Sequence, residues 1–196
     1  MWWYPAETPL VLASKSPRRR IILEMTGIPF IQIPGTVNET RMEGSPDAVV
    51  RYWARKKAEN IIGSNSGEPV LGADTLVALG GELLGKPHDE EQAADMLGRL
   101  SGAWHSVFGG ICVLWPEKGI DMRFTEETKV KFRNLSPDEI KAYVSTGEPL
   151  DKAGAYGIQG YGSLLVERIE GCYFNVMGLP VSRFIHEFRD RVLSGE

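Results

Sequence analysis

The residues that could do chemistry gather first in the stretch Val70 to Pro87, VLGADTLVALGGELLGKP. One carboxylate, Asp74, follows an apolar run and a glycine, and the Thr75 hydroxyl comes directly after it. An acid at the end of a buried strand, with Lys86 returned by a hairpin, suits phosphate or metal chemistry. The same residues would also build a plain surface hairpin whose acid only shapes a turn. Gly80 to Lys86 satisfies G-x-x-x-x-G-K on paper. Pro87 stands where a Ser or Thr should bind magnesium, however, and GELL reads as turn plus strand rather than a phosphate cradle opening a helix. The Walker reading is rejected, and Lys86 remains a point charge that can reach a phosphate by another geometry.

Three further groups could supply matching parts. Arg18, Arg19 and Arg20 follow the helix start Ser16-Pro17. Cations in a first turn oppose the helix dipole, by ~0.3–1 kcal/mol each when exposed, unless an anion sits there. Neighbouring helical side chains diverge by about 100°, so at most one or two of the three can share a ligand; the competing reading is a solvated basic face. The carboxylates Glu39, Asp74, Glu148 and Asp151 lie beside glycine, proline or small polar residues. They are either exposed turn acids or hard oxygen donors for Mg²⁺, which takes one or two protein carboxylates and completes its shell with phosphate and water. The run DKAGAYGIQG brings glycines that let backbone approach a ligand closely, and Gln159, whose amide can pair with the acceptor and N–H edge of uracil or thymine. It reads equally as a structural glycine loop. His88, His105 and His186 lack cysteines at ligand spacing and are not read as zinc ligands.

The elements that must position these groups alternate between strand and helix. Strands are expected at Leu10 to Ala13 and Ile28 to Ile33, with a helix between them running to Thr26 and stopped by Gly27. A polar loop, Gly35 to Gly44, holds Asn38, Glu39 and Arg41. After Ser45-Pro46-Asp47, the residues Val49, Val50, Trp53, Ala54, Ala58 and Ile61 recur at helical spacing, with Lys57 bordering that face. Asp89 caps a helix through Leu100. Ser106 to Leu114 and Ile120 to Phe132 form two strands around the turn Pro116 to Gly119. Ser136 and Glu139 make a capping box for a helix ending near Gly147. A glycine-rich loop from Asp151 to Gly162 precedes a strand at Leu164 to Ile169, and Pro180 opens a last helix with Val181, Phe184, Ile185, Phe188 and Val192 on one side. Residues 1 to 9 read as an irregular lead-in in which Trp2, Trp3 and Tyr4 are packing candidates. Interleaved strands and helices with one long hairpin predict an α/β fold on a mixed sheet.

The 196 residues suffice for one sizeable domain, or two small lobes, with a real core. A net charge of −4 argues against a general binder of nucleic acid polymers or membrane surfaces, so an anionic ligand needs a local cluster of cations. No apolar run approaches the ~20 residues of a membrane span, and the start, MWWYPAETPL, lacks the features of a signal peptide. Cys112 and Cys172 are read as two buried thiols in a reducing cytoplasm.

LASKSPRRRIILEMTGIPF, GADTLVALGGELLGKP, TGEPLDKAGAYGIQG and NVMGLPVSRF, in this order, resemble the Maf-like nucleoside triphosphate pyrophosphatases from about Leu10 to Val192. The resemblance implies one domain, 1–196, with an elongated mixed α/β sheet in two lobes around a cleft, similar to the inosine triphosphate pyrophosphatases. It implies hydrolysis of a nucleoside triphosphate to the monophosphate and pyrophosphate, with Asp74 as acid–base residue and Arg18, Thr75 and Gln159 at positions linked to substrate choice. GIQG and YFNVMGLP look like the subgroup acting on dTTP and UTP. On this basis Asp74 and Glu39 are expected to hold a divalent cation, Mg²⁺ or alternatively Mn²⁺, and Arg18, Lys57 and Lys86 to hold the triphosphate. Asn38 stands before Glu39 where an acid is common in the family, and Phe108 replaces a more usual threonine. The resemblance also points to a homodimer. The alternatives are a nucleotide-binding regulator of septum formation with weak or no catalysis, and a pyrophosphatase for 7-methyl-GTP or other modified nucleotides.

Overall fold

A computed structural model describes residues 4–38, 40, 42–63 and 67–194. Glu39 and Arg41, and with them the expected second metal ligand, lie outside the described residues, as do Trp2 and Trp3. The strands are β1 (Leu10–Leu12), β2 (Phe30–Gln32), β3 (Val70–Leu79), β4 (Glu82–Leu84), β5 (Trp104–Trp115), β6 (Ile120–Phe132) and β7 (Val166–Glu170). The helices are α1 (Pro17–Thr26), α2 (Pro46–Ile62), α3 (Glu90–Leu100), α4 (Pro137–Val144), α5 (Tyr173–Met177) and α6 (Val181–Ser194). The seven strands form a sheet ordered β2-β1-β3-β5-β6-β7, with β4 paired to β3. Pairing is parallel for β1 with β2 and β3, and antiparallel for β3 with β4 and β6 with β7, so the sheet is mixed as expected.

Most element boundaries follow from local chemistry. Gly27 ends α1 in the left-handed conformation at φ 66°. Ser45 caps α2 by accepting the Ala48 N–H, and Asp89 caps α3 by accepting that of Gln92. The Ser136–Glu139 capping box on α4 is complete in both directions. Gly80 and Gly81, at φ 58° and 89°, close a two-residue hairpin between Leu79 and Glu82. Ser16 sits at the N-cap of α1, but its side chain makes no cap bond; its N–H instead donates to Ser14 Oγ at 3.2 Å. The glycine-rich segment is more ordered than a plain loop, with 3₁₀ turns at Glu148–Asp151, Ala153–Ala155 and Gly160–Leu165. The last of these delays β7 to Val166, and the short α5 follows β7 where no helix was expected.

The chain divides into two compact units, and β3, β5 and β6 contribute residues to both. Unit one comprises residues 1–74, 109–126 and 178–196; unit two comprises 75–108 and 127–177. Unit one buries Val11, Ala13, Ala54, Ala58, Ile61, Val70, Cys112 and Leu114 together. Tyr4 is buried there as well, its ring 6.0 Å from that of Phe188 on α6. Unit two has its own core, in which Leu97 and Leu100 of α3, Phe132 of β6 and Tyr143 and Val144 of α4 share one cluster. Cys112 is buried, and burial pushes its thiol up to about 12. Cys172 is only partly buried, because it lies in the connection between β7 and α5 rather than inside a strand. Among the described residues no helix is long and apolar enough to cross a membrane.

Two glycines set how near α2 lies to the strands of unit one. A Cβ on Gly72 would fall 2.0 Å from the Ala54 carbonyl oxygen, and one on Gly110 would fall 2.3 Å from that of Val50. Backbone cannot move aside as a flexible side chain can, so the helix would have to shift. Gly72→Ala and Gly110→Ala are therefore each expected to lower unfolding stability by about 1–3 kcal/mol or more. Gly98→Ala, on the open face of α3 with nothing near its added methyl group, should raise it by roughly 0.5–1 kcal/mol. Urea titration of the three variants checks both signs.

Candidate active site

Asp74 occupies the middle of β3, not its end. The apolar and β-branched residues Thr75, Leu76 and Val77 carry the strand onward. β3 pairs with β1 at Val70 and Leu71 and with β4 from Val77 to Leu79, so Asp74 falls between two ladders. Side chains two apart on a strand share a face, which puts Asp74 on the same face as Gly72. That is the face against which α2 lies, as the close approach of Gly72 to Ala54 and to the Ala58 nitrogen shows. Lys57 comes one residue before Ala58, and its Nζ reaches Asp74 Oδ1 at 2.7 Å. The two side chains are only 15% and 9% exposed, so the pair is well shielded from water. A shielded pair contributes little net stability, because desolvation offsets its attraction, yet it gives a strong local field for polyanion chemistry.

The three arginines of α1 have separate fates, as helical divergence requires. Arg19 turns inward, 8% exposed, and donates to Ser14 Oγ at 2.9 Å and to the Gly178 carbonyl at 2.9 Å. It thereby ties α1 to the segment ahead of α6. Arg20 pairs with Glu24 at the surface, at 2.7 Å. Arg18 is half-buried. Arg18, Lys57 and Asp74 all belong to unit one.

Thr75, Lys86 and Gln159 belong to unit two. Thr75 is half-buried and, by strand alternation, faces away from Asp74's side of β3. Lys86 is exposed just beyond β4. Its neighbour Gly85 accepts the Gly154 N–H at 3.0 Å, joining the hairpin to the glycine-rich segment that carries Gln159. Gly154 is needed at this junction: its φ is +67°, and a side chain would press on Val77 at 3.0 Å. Gln159 itself is half-buried in extended backbone.

Of the candidate metal ligands, Glu148 is committed elsewhere. Its carboxylate accepts the Tyr143 hydroxyl at 2.9 Å and the N–H groups of Tyr161 and Gly162 at 3.0 and 3.1 Å. Asp151 is exposed and pairs with Lys152 at 2.7 Å. Among the described residues no group of three or more His, Cys, Asp or Glu is arranged to hold a metal ion. Asp74 offers the hard carboxylate oxygens that Mg²⁺ prefers, with Oδ1 already held by Lys57.

Several contributors were not legible as such. Ser14 and Lys152 lie inside the quoted motifs and Tyr143 just ahead of one, but their partners Arg19 and Glu148 are set by the folded contacts. His105 is buried at 3% exposure, edge-on to Phe132 and Tyr156 with ring centroids 5.1 and 5.3 Å away. Its Nε2 meets Tyr156 Oη at 2.8 Å, while Nδ1 has no hydrogen-bond partner. Protonation would strand a charged N–H in the core, so burial pushes the imidazole down to about 4. Tyr156 joins this aromatic group to the segment that leads to Gln159.

A family profile described as Maf-like protein matches residues 9–191, spanning both units. A protein named dTTP/UTP pyrophosphatase from Aquifex aeolicus (strain VF5) is 48% identical over 182 residues, covering 92% of this chain and 94% of its own. Proteins of the same name from Carboxydothermus hydrogenoformans (strain ATCC BAA-161 / DSM 6008 / Z-2901) and Bacillus cereus (strain AH820) are 46% and 45% identical over 181 residues. These cover 92% of this chain and 97% and 94% of theirs.

His105 also makes stability depend on pH. With the folded pKa near 4 and the unfolded value near 6.5, only the unfolded chain takes up a proton between them. Its stabilising effect is complete above the unfolded value and declines as pH falls toward the folded one. Urea unfolding at pH 7.5 and pH 4.5 should show a loss on the order of 2–3 kcal/mol from this residue, and His105→Gln should flatten that part of the slope.

Proposed function

The chain belongs to the Maf-like family, and from that premise we propose that it hydrolyses dTTP and UTP to the nucleoside monophosphate and pyrophosphate. The observation that carries this reading is the shielded pair between Lys57 of α2 and Asp74 of the motif strand β3. Relatives of 45–48% identity bearing the dTTP/UTP pyrophosphatase name support the choice of substrate.

The reaction asks little covalent chemistry of the protein. It needs an oriented water, a group to take its proton, and positive charge along the phosphates. In our reading Asp74 orients the water and accepts its proton as the new P–O bond forms at the α-phosphorus. The bridging oxygen then leaves with pyrophosphate. Lys57 holds the Asp74 carboxylate in place and, with Arg18 and Lys86, balances phosphate charge. A divalent cation, Mg²⁺ or Mn²⁺, held by Asp74 and Glu39, would neutralise charge on the phosphate oxygens when bound. Gln159 reads the pyrimidine through an amide that offers one acceptor and one donor, as the O and N–H edge of uracil and thymine requires. Thr75 is assigned to the same discrimination.

Asp74→Asn keeps the shape of the side chain but removes the proton acceptor and the charge facing Lys57. Its pyrophosphate release from dTTP and UTP with magnesium should fall by roughly 10²-fold or more. Turnover near that of the unaltered protein would exclude Asp74 as the base. A panel including CTP, GTP and 7-methyl-GTP, run on the unaltered protein, separates the dTTP/UTP reading from a modified-nucleotide enzyme and from a regulator without catalysis.

A further inference from the structure

We propose that Glu148 is a positioning residue for base selection, clamping the backbone on both sides of Gln159 so that its amide is presented in one orientation. The inference rests on the reading of Gln159 as the base-contacting amide.

The clamp is built within unit two. On the C-terminal side of Gln159, the N–H groups of Tyr161 and Gly162 donate to Glu148 Oε2 and Oε1 at 3.0 and 3.1 Å. On the N-terminal side, the Gly157 N–H donates to Tyr143 Oη at 3.3 Å, and that hydroxyl donates to Glu148 Oε1 at 2.9 Å. One carboxylate thus gathers both flanks, two donors directly and one through a tyrosine. Glu148 is itself held. Its N–H donates to Thr146 Oγ1 at 3.1 Å, and its carbonyl accepts from Lys152 Nζ.

The neighbouring glycines are explained by this clamp. A Cβ on Gly160 would stand 2.6 Å from Glu148 Oε2, at a backbone φ of +66° that disfavours side chains. A Cβ on Gly162 would meet the Gly157 carbonyl oxygen at 2.1 Å and Tyr143 Oη at 2.8 Å. Burial does little to hold the outer part of the segment, since Tyr161 and Leu164 are 63% and 66% exposed. Hydrogen bonds to a charged acceptor are among the stronger ones, and here they hold the stretch between the buried Ile158 and Leu165.

Glu148→Gln keeps the length of the side chain but exchanges one oxygen for an NH₂ group, which faces an N–H or O–H donor whichever way the amide turns. Two measurements test the proposal. Amide exchange followed by NMR should quicken by roughly tenfold or more at Tyr161 and Gly162 in Glu148→Gln, while the α3 core amides keep their protection. The ratio of kcat/KM for UTP to that for CTP should fall by roughly tenfold, since CTP presents the opposite donor and acceptor pattern to Gln159. Tyr143→Phe, which retains the buried ring and removes only the hydroxyl, should open Gly157 and lower the ratio by a smaller factor. Unchanged exchange at Tyr161 and Gly162 overturns the clamp. Opened amides with an unaltered UTP-to-CTP ratio, or a general loss of protection with that ratio intact, overturn its role in selection. If Gln159→Ala also leaves the ratio unaltered, the base-reading assignment fails and the selection role falls with it, while the exchange data still judge the clamp.

Discussion

The contact between α2 and β3 sets the geometry on which the candidate chemistry depends. Gly72 lacks a Cβ, Ala54 and Ala58 are small, and the helix backbone therefore comes close enough to occupy the space a side chain on Gly72 would need. Only at that separation can Lys57, on the rim of the buried face of α2, put its ammonium 2.7 Å from an acid two residues further along the strand. A helix displaced outward would leave Asp74 as an isolated buried carboxylate, which is far costlier than a paired one. The spacing of glycine, alanine, lysine and aspartate is thus one device. Close packing creates the pair, and the pair is the polar feature that the packed face tolerates.

Unit two solves a different problem by a different means. A segment rich in glycine can approach a ligand closely, but it also has much conformational freedom to lose and little side-chain surface to bury. The segment from Gly154 to Gly162 is held from beneath by Tyr156, which packs on His105 and Phe132, and from the side by the Glu148 carboxylate. The edge-to-face ring contacts and the Nε2–Oη contact lock Tyr156 in the core. Asn175 of the NVMGLP motif plays a comparable part, donating to the Val107 carbonyl on β5 and to Thr128 Oγ1 on β6. These polar side chains in the interior tie irregular backbone to regular strands, where apolar contacts alone would leave N–H and carbonyl groups unpaired.

Much of the fold could be read from local signals. Ser45-Pro46-Asp47, Asp89 and the Ser136–Glu139 pair each announce a helix start because capping is a contest among neighbouring groups. Gly27 and Gly80-Gly81 announce stops and turns because only glycine adopts those backbone angles freely. The α2 face was visible in its periodicity, including the place of Lys57 at its edge. Local signals do not fix a position whose deciding contact is distant in sequence. A polar residue after an apolar run predicts a strand end at Asp74, whereas β4 returns to pair with Val77 to Leu79 and extends β3 past it. The apolar neighbours of Cys172 predict a buried thiol, but it belongs to a connection that leaves it only partly buried.

The sequence by itself determined which residue types were available, where most of the helices begin, and that the three arginines of α1 could not act together, since their directions follow from helical geometry alone. It also carried the family's motifs across nearly the whole chain. Only the tertiary structure decided how those side chains are spent. Arg19 went to Ser14 and Gly178, Glu148 went to the loop N–H groups, and Asp74 went to Lys57. The reason is that a charged group's role is set by the partner it meets once water is removed, and such partners here stand up to 159 positions apart.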